Sequence, residues 1–159
     1  MINKILNKMI TYNHGDPLRI QHSLKVYEFS NLIAEGEGLD DSKKETLLIA
    51  SILHDVGIRY CEQKFGHQDG KMQEEYGVIV AKELLKDITG IDKDRIYYLI
   101  SHHHTYIDVD DIDLQILLEA DMLVNLFEDK ASIETITKGY NKVFKTKTGK
   151  ELMKEVYGI

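Results

Sequence analysis

Four side chains of this 159-residue chain sit where apolar residues belong: His22, His54, Asp55 and Asp121. His22 shares a helical stripe with Val26 and Phe29. His54 and Asp55 follow Leu47, Leu48, Ser51 and Ile52, and Asp121 follows Leu114, Leu117 and Leu118. Taken singly, each has an ordinary structural reading: a core histidine with its hydrogen bonds met, or an aspartate capping a helix. Taken together they are harder to explain, because a carboxylate buried without a cation is costly and here two would be buried. Two imidazoles and two carboxylates from three helices make a mixed nitrogen and oxygen set. It suits a divalent ion such as Fe, Mn, Zn, Co or Ni and disfavours sulfur-loving metals. Such an ion acts as a Lewis acid and lowers the pKa of water from 15.7 toward about 7.

The elements that carry these residues read as helices. Asp16 before Pro17 is an N-cap acceptor followed by a first-turn proline, and Gly36 and Gly38 end the stripe that contains His22. A second helix begins at Asp40 or Asp41 and runs to Gly57, read here as a left-handed terminator. The pattern is lost from Cys61 to Lys71. It returns with Gly77, Val80, Ala81, Leu84, Leu85 and Ile88, closed by Gly90, and Asp92 caps the helix after that. Leu114 to Leu126 forms another face. Residues 131–140 and 150–157 have helical composition interrupted by Thr146, Thr148 and Gly149, and only 107–114 offers a strand any competition. The expectation is an all-α bundle of six to eight helices, one domain over residues 1–159, with no repeat or linker.

Composition narrows the function classes. A net charge of −7, from 27 acidic residues against 20 Lys and Arg, argues against a basic surface for duplex nucleic acid. The single cysteine, Cys61, allows neither an intrachain disulfide nor a thiolate zinc finger, and fits the reducing cytosol. The first residues show no signal-peptide pattern and no apolar run reaches membrane-spanning length, so a cytoplasmic protein with no membrane partner is expected.

The order His22, then His54-Asp55, then Asp121 resembles the HD-domain superfamily of metal-dependent phosphohydrolases, named for its adjacent His and Asp. The flanks extend the likeness: Arg19-Ile20-Gln21-His22-Ser23-Leu24-Lys25-Val26, Ile52-Leu53-His54-Asp55-Val56-Gly57 and Leu118-Glu119-Ala120-Asp121-Met122-Leu123. The resemblance spans roughly residues 16–128 and leaves 129–159 as a C-terminal helical extension. It implies that His22, His54, Asp55 and Asp121 bind the metal. The expected reaction is hydrolysis of a nucleotide or other small phosphate ester by metal-bound water, with Asp55 able to bridge to a second ion.

Binuclear relatives carry two further histidines between the pair and the last Asp. In His102-His103-His104, helical phase with Ile96, Leu99 and Ile100 favours His103, with His102 and His104 as alternatives; the plain reading is a helix terminus. At the other position stands Gln73, beside Glu74, which offers an oxygen ligand, with His67 in the preceding loop. The expectation is one ion, with a weaker second position through Glu74 and His103. Where some relatives place a phosphate-binding lysine this chain has Ile58, followed by Arg59. Arg19, one turn before His22, is the better candidate to grip phosphate, with His103 as the other group that could stabilise its charge. Two other readings stay open: a diiron oxygenase of the same fold, and a non-catalytic, metal-stabilised nucleotide-binding module.

Overall fold

The computed structural model describes residues 1–159 as helices and connecting turns, without a strand. Nine helices follow in order: α1 (Ile2–Tyr12), α2 (Pro17–Gly36), α3 (Asp41–Leu53), α4 (Gly57–Phe65), α5 (Gly70–Leu84), α6 (Lys93–His102), α7 (Ile112–Glu128), α8 (Ile133–Val143) and α9 (Lys147–Tyr157). The all-α class holds, and the count exceeds the expected range for two reasons. α1 buries only Ile5 and Met9, one turn apart, a stripe too short to read against its polar neighbours. The chain also breaks after Leu53 and resumes as α4, where no helical pattern was legible.

The starts of the helices follow their caps. Asp16 accepts from Arg19 N with Pro17 in the first turn, Asp40 accepts from Lys43 N, and Asp92 accepts from Arg95 N. Two helices are central. α3 is buried continuously from Thr46 to Leu53, and α7 from Asp113 to Asp121. α2 lies along both, α6 flanks α3, and α5 sits between α4 and α6. One cluster of buried apolar residues runs from Ile5 to Met153, so the C-terminal helices share the core of the rest.

Gly57 corrects an expectation. It is absent from the glycines with positive φ and opens α4 instead of closing α3. A Cβ there would stand 2.6 Å from the backbone nitrogen of Gly77 and 3.0 Å from the carbonyl oxygen of Gln73. The residue is small because α4 and α5 meet backbone to backbone at this point.

Thr146, Thr148 and Gly149 do not interrupt the C-terminal region; they start α9. The Thr146 hydroxyl accepts from Gly149 N at 2.9 Å and donates to Glu119 Oε1 at 2.7 Å. Glu119, buried in α7, also accepts from Gln115 Nε2, Lys145 N and Thr146 N. A Cβ on Gly149 would fall 1.9 Å from Glu119 Oε1. Burial pushes the Glu119 carboxyl up, against the pull of Thr146 and Gln115. A carboxyl with a raised folded pKa contributes stability that is full below its ordinary range and lost as pH rises through the folded value. The stability of wild type minus that of Glu119→Gln should therefore fall as pH climbs from about 4 to 7. Urea melts across that window measure it, and a difference that stays flat contradicts the assignment.

Candidate metal centre

The four residues singled out by their odd placement converge. His22 comes from the second turn of α2, His54 caps the end of α3, Asp55 follows in the turn into α4, and Asp121 lies in the middle of α7. His22 Nε2 stands 3.1 Å from Asp55 Oδ2 and 3.1 Å from Asp121 Oδ1, and His54 Nε2 stands 3.4 and 3.3 Å from the same two oxygens. Two ligands about 2.1 Å from one ion lie about 3.0 Å apart at right angles and about 3.4 Å apart at the tetrahedral angle. His54 and Asp55 can be adjacent in sequence yet share a target because α3 ends between Leu53 and the turn, so the angular step of a regular helix no longer separates them.

The hydrogen bonds define which nitrogens are free. His54 Nδ1 lies 2.7 Å from the carbonyl oxygen of Ser51, which can only accept, so Nδ1 carries the proton and Nε2 keeps its lone pair. His22 Nδ1 faces the Glu128 carboxylate at 3.1 Å, with the same consequence. The two Nε2 atoms then face each other at 3.2 Å. Two bare lone pairs at that distance repel unless a positive charge lies between them. The buried Asp121 Oδ1 completes no hydrogen bond although both imidazoles are close, because the angles are wrong for one. Such an oxygen is aimed at a shared centre and not at a neighbour.

Electrostatics agree. Burial works to lower the His22 pKa, but Asp121 and Asp55 reverse this and push it up to about 11. Burial would raise both carboxyls, yet the adjoining imidazoles of His54, His103 and His22 hold Asp55 well below the ordinary range. His22 and His54 hold Asp121 down as well. The cluster demands a cation, either a proton or a metal.

A second group adjoins the first. Asp55, His103 and His104 bring ligand atoms within 4.8 Å of one another. Asp55 divides its oxygens: Oδ2 faces His22 and His54, while Oδ1 stands 3.3 Å from His103 Nε2. His103 Nδ1 is fixed by the Ile100 carbonyl at 2.7 Å, leaving Nε2 buried with no hydrogen-bond partner. His104 Nε2 lies 2.6 Å from Gln73 Oε1, so Gln73 acts on an imidazole of this group. Burial, reinforced by the His103 charge, lowers the His104 pKa and keeps that ring neutral.

Other residues singled out in the sequence lie apart from the two groups or are bonded elsewhere. His102 lies outside both groups, its ring stacked on Tyr98 at 3.9 Å and its Nδ1 2.8 Å from the Tyr98 carbonyl oxygen. Glu74 also lies outside them: its Oε2 accepts from the Thr105 hydroxyl at 2.8 Å and holds the turn that carries His104. Arg19 is engaged by Asp16 at 2.5 Å and by Glu62 at 2.6 Å. Arg59 donates to the His14 carbonyl oxygen.

Two groups escape the sequence reading, and one is placed second. Glu128, which orients His22, lies seven residues after Asp121 and so on the same helical face, a signal that was available. His104 was ranked behind His103 by helical phase, but α6 ends at His102, and beyond that point two adjacent imidazoles can face one site. Tyr106 lies in the turn after them. Burial, with the Asp121 charge, pushes its hydroxyl up to about 12, although the ring as a whole is exposed.

The HD domain family model matches residues 19–126. The crystal structure of a predicted HD superfamily hydrolase from an uncultured Thermotogales bacterium is similar to this chain, with a TM-score of 0.66 and 25% identity, over 98% of this chain and 84% of that one. No curated protein matches.

Proposed function

We infer that this chain, which belongs to the HD-domain family, is a metal-dependent hydrolase of a small phosphate ester such as a nucleotide. The single observation that carries this reading is the facing pair of Nε2 atoms, 3.2 Å apart, each turned to lone-pair form by its own Nδ1 partner and flanked by two carboxylates. Helical proteins gain nothing in stability from such a cluster without a cation, so the cluster is read as built to hold one.

His22, His54, Asp55 and Asp121 would hold the ion, and Asp55, His103 and His104 a second one of lower affinity, with Asp55 shared. When bound, an ion supplies a lowered water pKa and Lewis-acid polarisation of a phosphoryl oxygen. The chain's residues do the rest. Ser51, Ile100 and Glu128 fix the tautomers of His54, His103 and His22, so no reorganisation is needed when the ligands engage. Because Arg19 is held by Asp16 and Glu62, it is assigned the positioning of the α2 and α4 walls. The oxygenase reading loses its symmetric ligand set at Gln73.

The test is a screen of nucleotides and phosphomonoesters with Mn, Co, Ni and Fe, using chelated protein as the control. Hydrolysis that appears with metal and disappears with chelator supports the reading; ligand-induced thermal stabilisation without turnover in any metal would replace it with a sensor. Glu128→Gln should keep the fold and weaken metal affinity about 10- to 100-fold, the usual loss when a partner behind a metal-bound imidazole is changed. Titration of Co into chelated protein reads this directly.

A further inference from the structure

His104 lies beyond the end of α6, where no helix orients its ring, yet the first turn of α5 closes on it from three sides. Gly70 packs against the ring: a Cβ there would stand 3.1 Å from Cγ of His104, 3.3 Å from its Cβ and 3.4 Å from its Cδ2. Glu74 Oε2 accepts from His104 N at 3.4 Å and from the Thr105 hydroxyl at 2.8 Å, which fixes the backbone. Gln73, only 8% exposed, places Oε1 2.6 Å from His104 Nε2. A histidine that merely ended a helix would need no such cradle.

The direction of the last bond follows from the one behind it. Gln73 Nε2 donates to Oε1 of Gln68, in the loop before α5, so the carbonyl oxygen of Gln73 is the atom turned to His104. That oxygen can only accept. His104 Nε2 therefore carries the proton, and Nδ1 keeps the lone pair. This reverses the pattern of His54 and His103, whose Nδ1 atoms are held by the carbonyl oxygens of Ser51 and Ile100. Gly70 covers the Cγ and Cδ2 side of the ring, away from Nδ1. Across the group, His103 Nε2 is buried without a hydrogen-bond partner, 3.3 Å from Asp55 Oδ1. His104 brings a ring nitrogen within 4.8 Å of ligand atoms of both residues. A buried nitrogen lone pair left open beside a carboxylate oxygen is a place for a cation.

We propose that Gln73 is a positioning residue for the second ion: by accepting from Nε2 it makes His104 a ligand through Nδ1, which completes a site with Asp55 and His103. The amide acts on the ligand and does not itself touch the ion, as partners behind metal-bound imidazoles do. Gln68 in turn holds the amide in the required sense. The inference rests on the metal-dependent reading of the centre.

The test is a calorimetric titration of Co into the chelated full chain, together with nitrogen NMR of the metal-free protein. Wild type should take up Co in two steps. Gln73→Leu fills the same space but cannot accept; it should weaken the second step about 10- to 100-fold and leave the first unchanged. Gln73→Glu still accepts and should restore the second step to at least wild-type strength. A purely structural role would disturb both steps, and both variants alike. In the spectra His104, identified by the signals lost in His104→Ala, should carry its proton on Nε2. The proposal is overturned if wild type takes up Co in the first step alone, if Gln73→Leu keeps the second step, if Gln73→Glu fails to restore it, or if the His104 proton sits on Nδ1. Loss of both steps in wild type would overturn the metal-dependent reading itself, a result distinct from loss of the second alone.

Discussion

Asp55→Ala is expected to abolish hydrolysis and to empty both ligand groups of metal, an effect larger than that of any other single change in the chain. The reason is geometric. Asp55 alone faces both groups, with one oxygen toward His22 and His54 and the other 3.3 Å from His103. Removing it takes one negative charge and one ligand from each group at once, while the imidazole lone pairs of His22 and His54 stay face to face. Changing a mere partner of a ligand costs about 10- to 100-fold in affinity. Loss of a shared ligand should exceed this, with activity falling at least about 1,000-fold. Elemental analysis of protein purified without added metal, alongside the hydrolysis assay, measures both losses. His102→Ala is the matched comparison: it deletes an imidazole one residue from His103, but that ring stacks on Tyr98 outside both groups. If Asp55→Ala retained metal and activity, or if His102→Ala were as damaging as Asp55→Ala, the assignment of the centre would fail.

The contrast between His102 and its neighbours also shows where a sequence stops being readable. Periodicity places a residue only while the helix continues. It placed His22 and Asp121, which lie within α2 and α7. It also favoured His103, the cap of α6, whose phase still follows the helix. It could not place His104 or account for His54 beside Asp55, because those residues lie at or beyond helix ends where turn geometry takes over. The surroundings of Arg19 are hidden for another reason. Its position one turn before His22 is right, but its guanidinium is taken by Asp16 and by Glu62, which lies 43 residues away in a helix that had no legible pattern. α4 was illegible because only Gly57, Ile58 and Cys61 are buried in it, and a glycine contributes nothing to an apolar stripe. In the C-terminal region Thr146 and Gly149 have the composition of helix breakers, but Glu119, buried in another helix, accepts from the Thr146 hydroxyl and fixes them as a helix start.

Gly57 ties that unread helix to the centre, and Gly57→Ala is the second change expected to have a large effect. The added Cβ would lie 2.6 Å from Gly77 N, 2.9 Å from Gly77 Cα and 3.0 Å from the Gln73 carbonyl oxygen, all of them backbone. No rotamer can relieve contacts of that kind, so α4 and α5 must separate. Overpacking of this sort costs about 1–3 kcal/mol, which in a chain of this size lowers Tm by about 3–10 °C. The damage reaches the centre because Asp55 lies two residues before Gly57, and Gln73, the hydrogen-bond partner of His104, lies on the helix that must retreat. Metal affinity should therefore fall together with Tm. Gly77→Ala offers the comparison that isolates the cause. Its Cβ would meet the Cγ2 of Ile100 at 3.0 Å, and a side chain can yield where backbone cannot. Thermal melts and Co titrations of the two variants should rank Gly57→Ala as the more damaging in both measurements. Equal losses, or the reverse order, would mean that the close approach of α4 and α5 does not position Asp55.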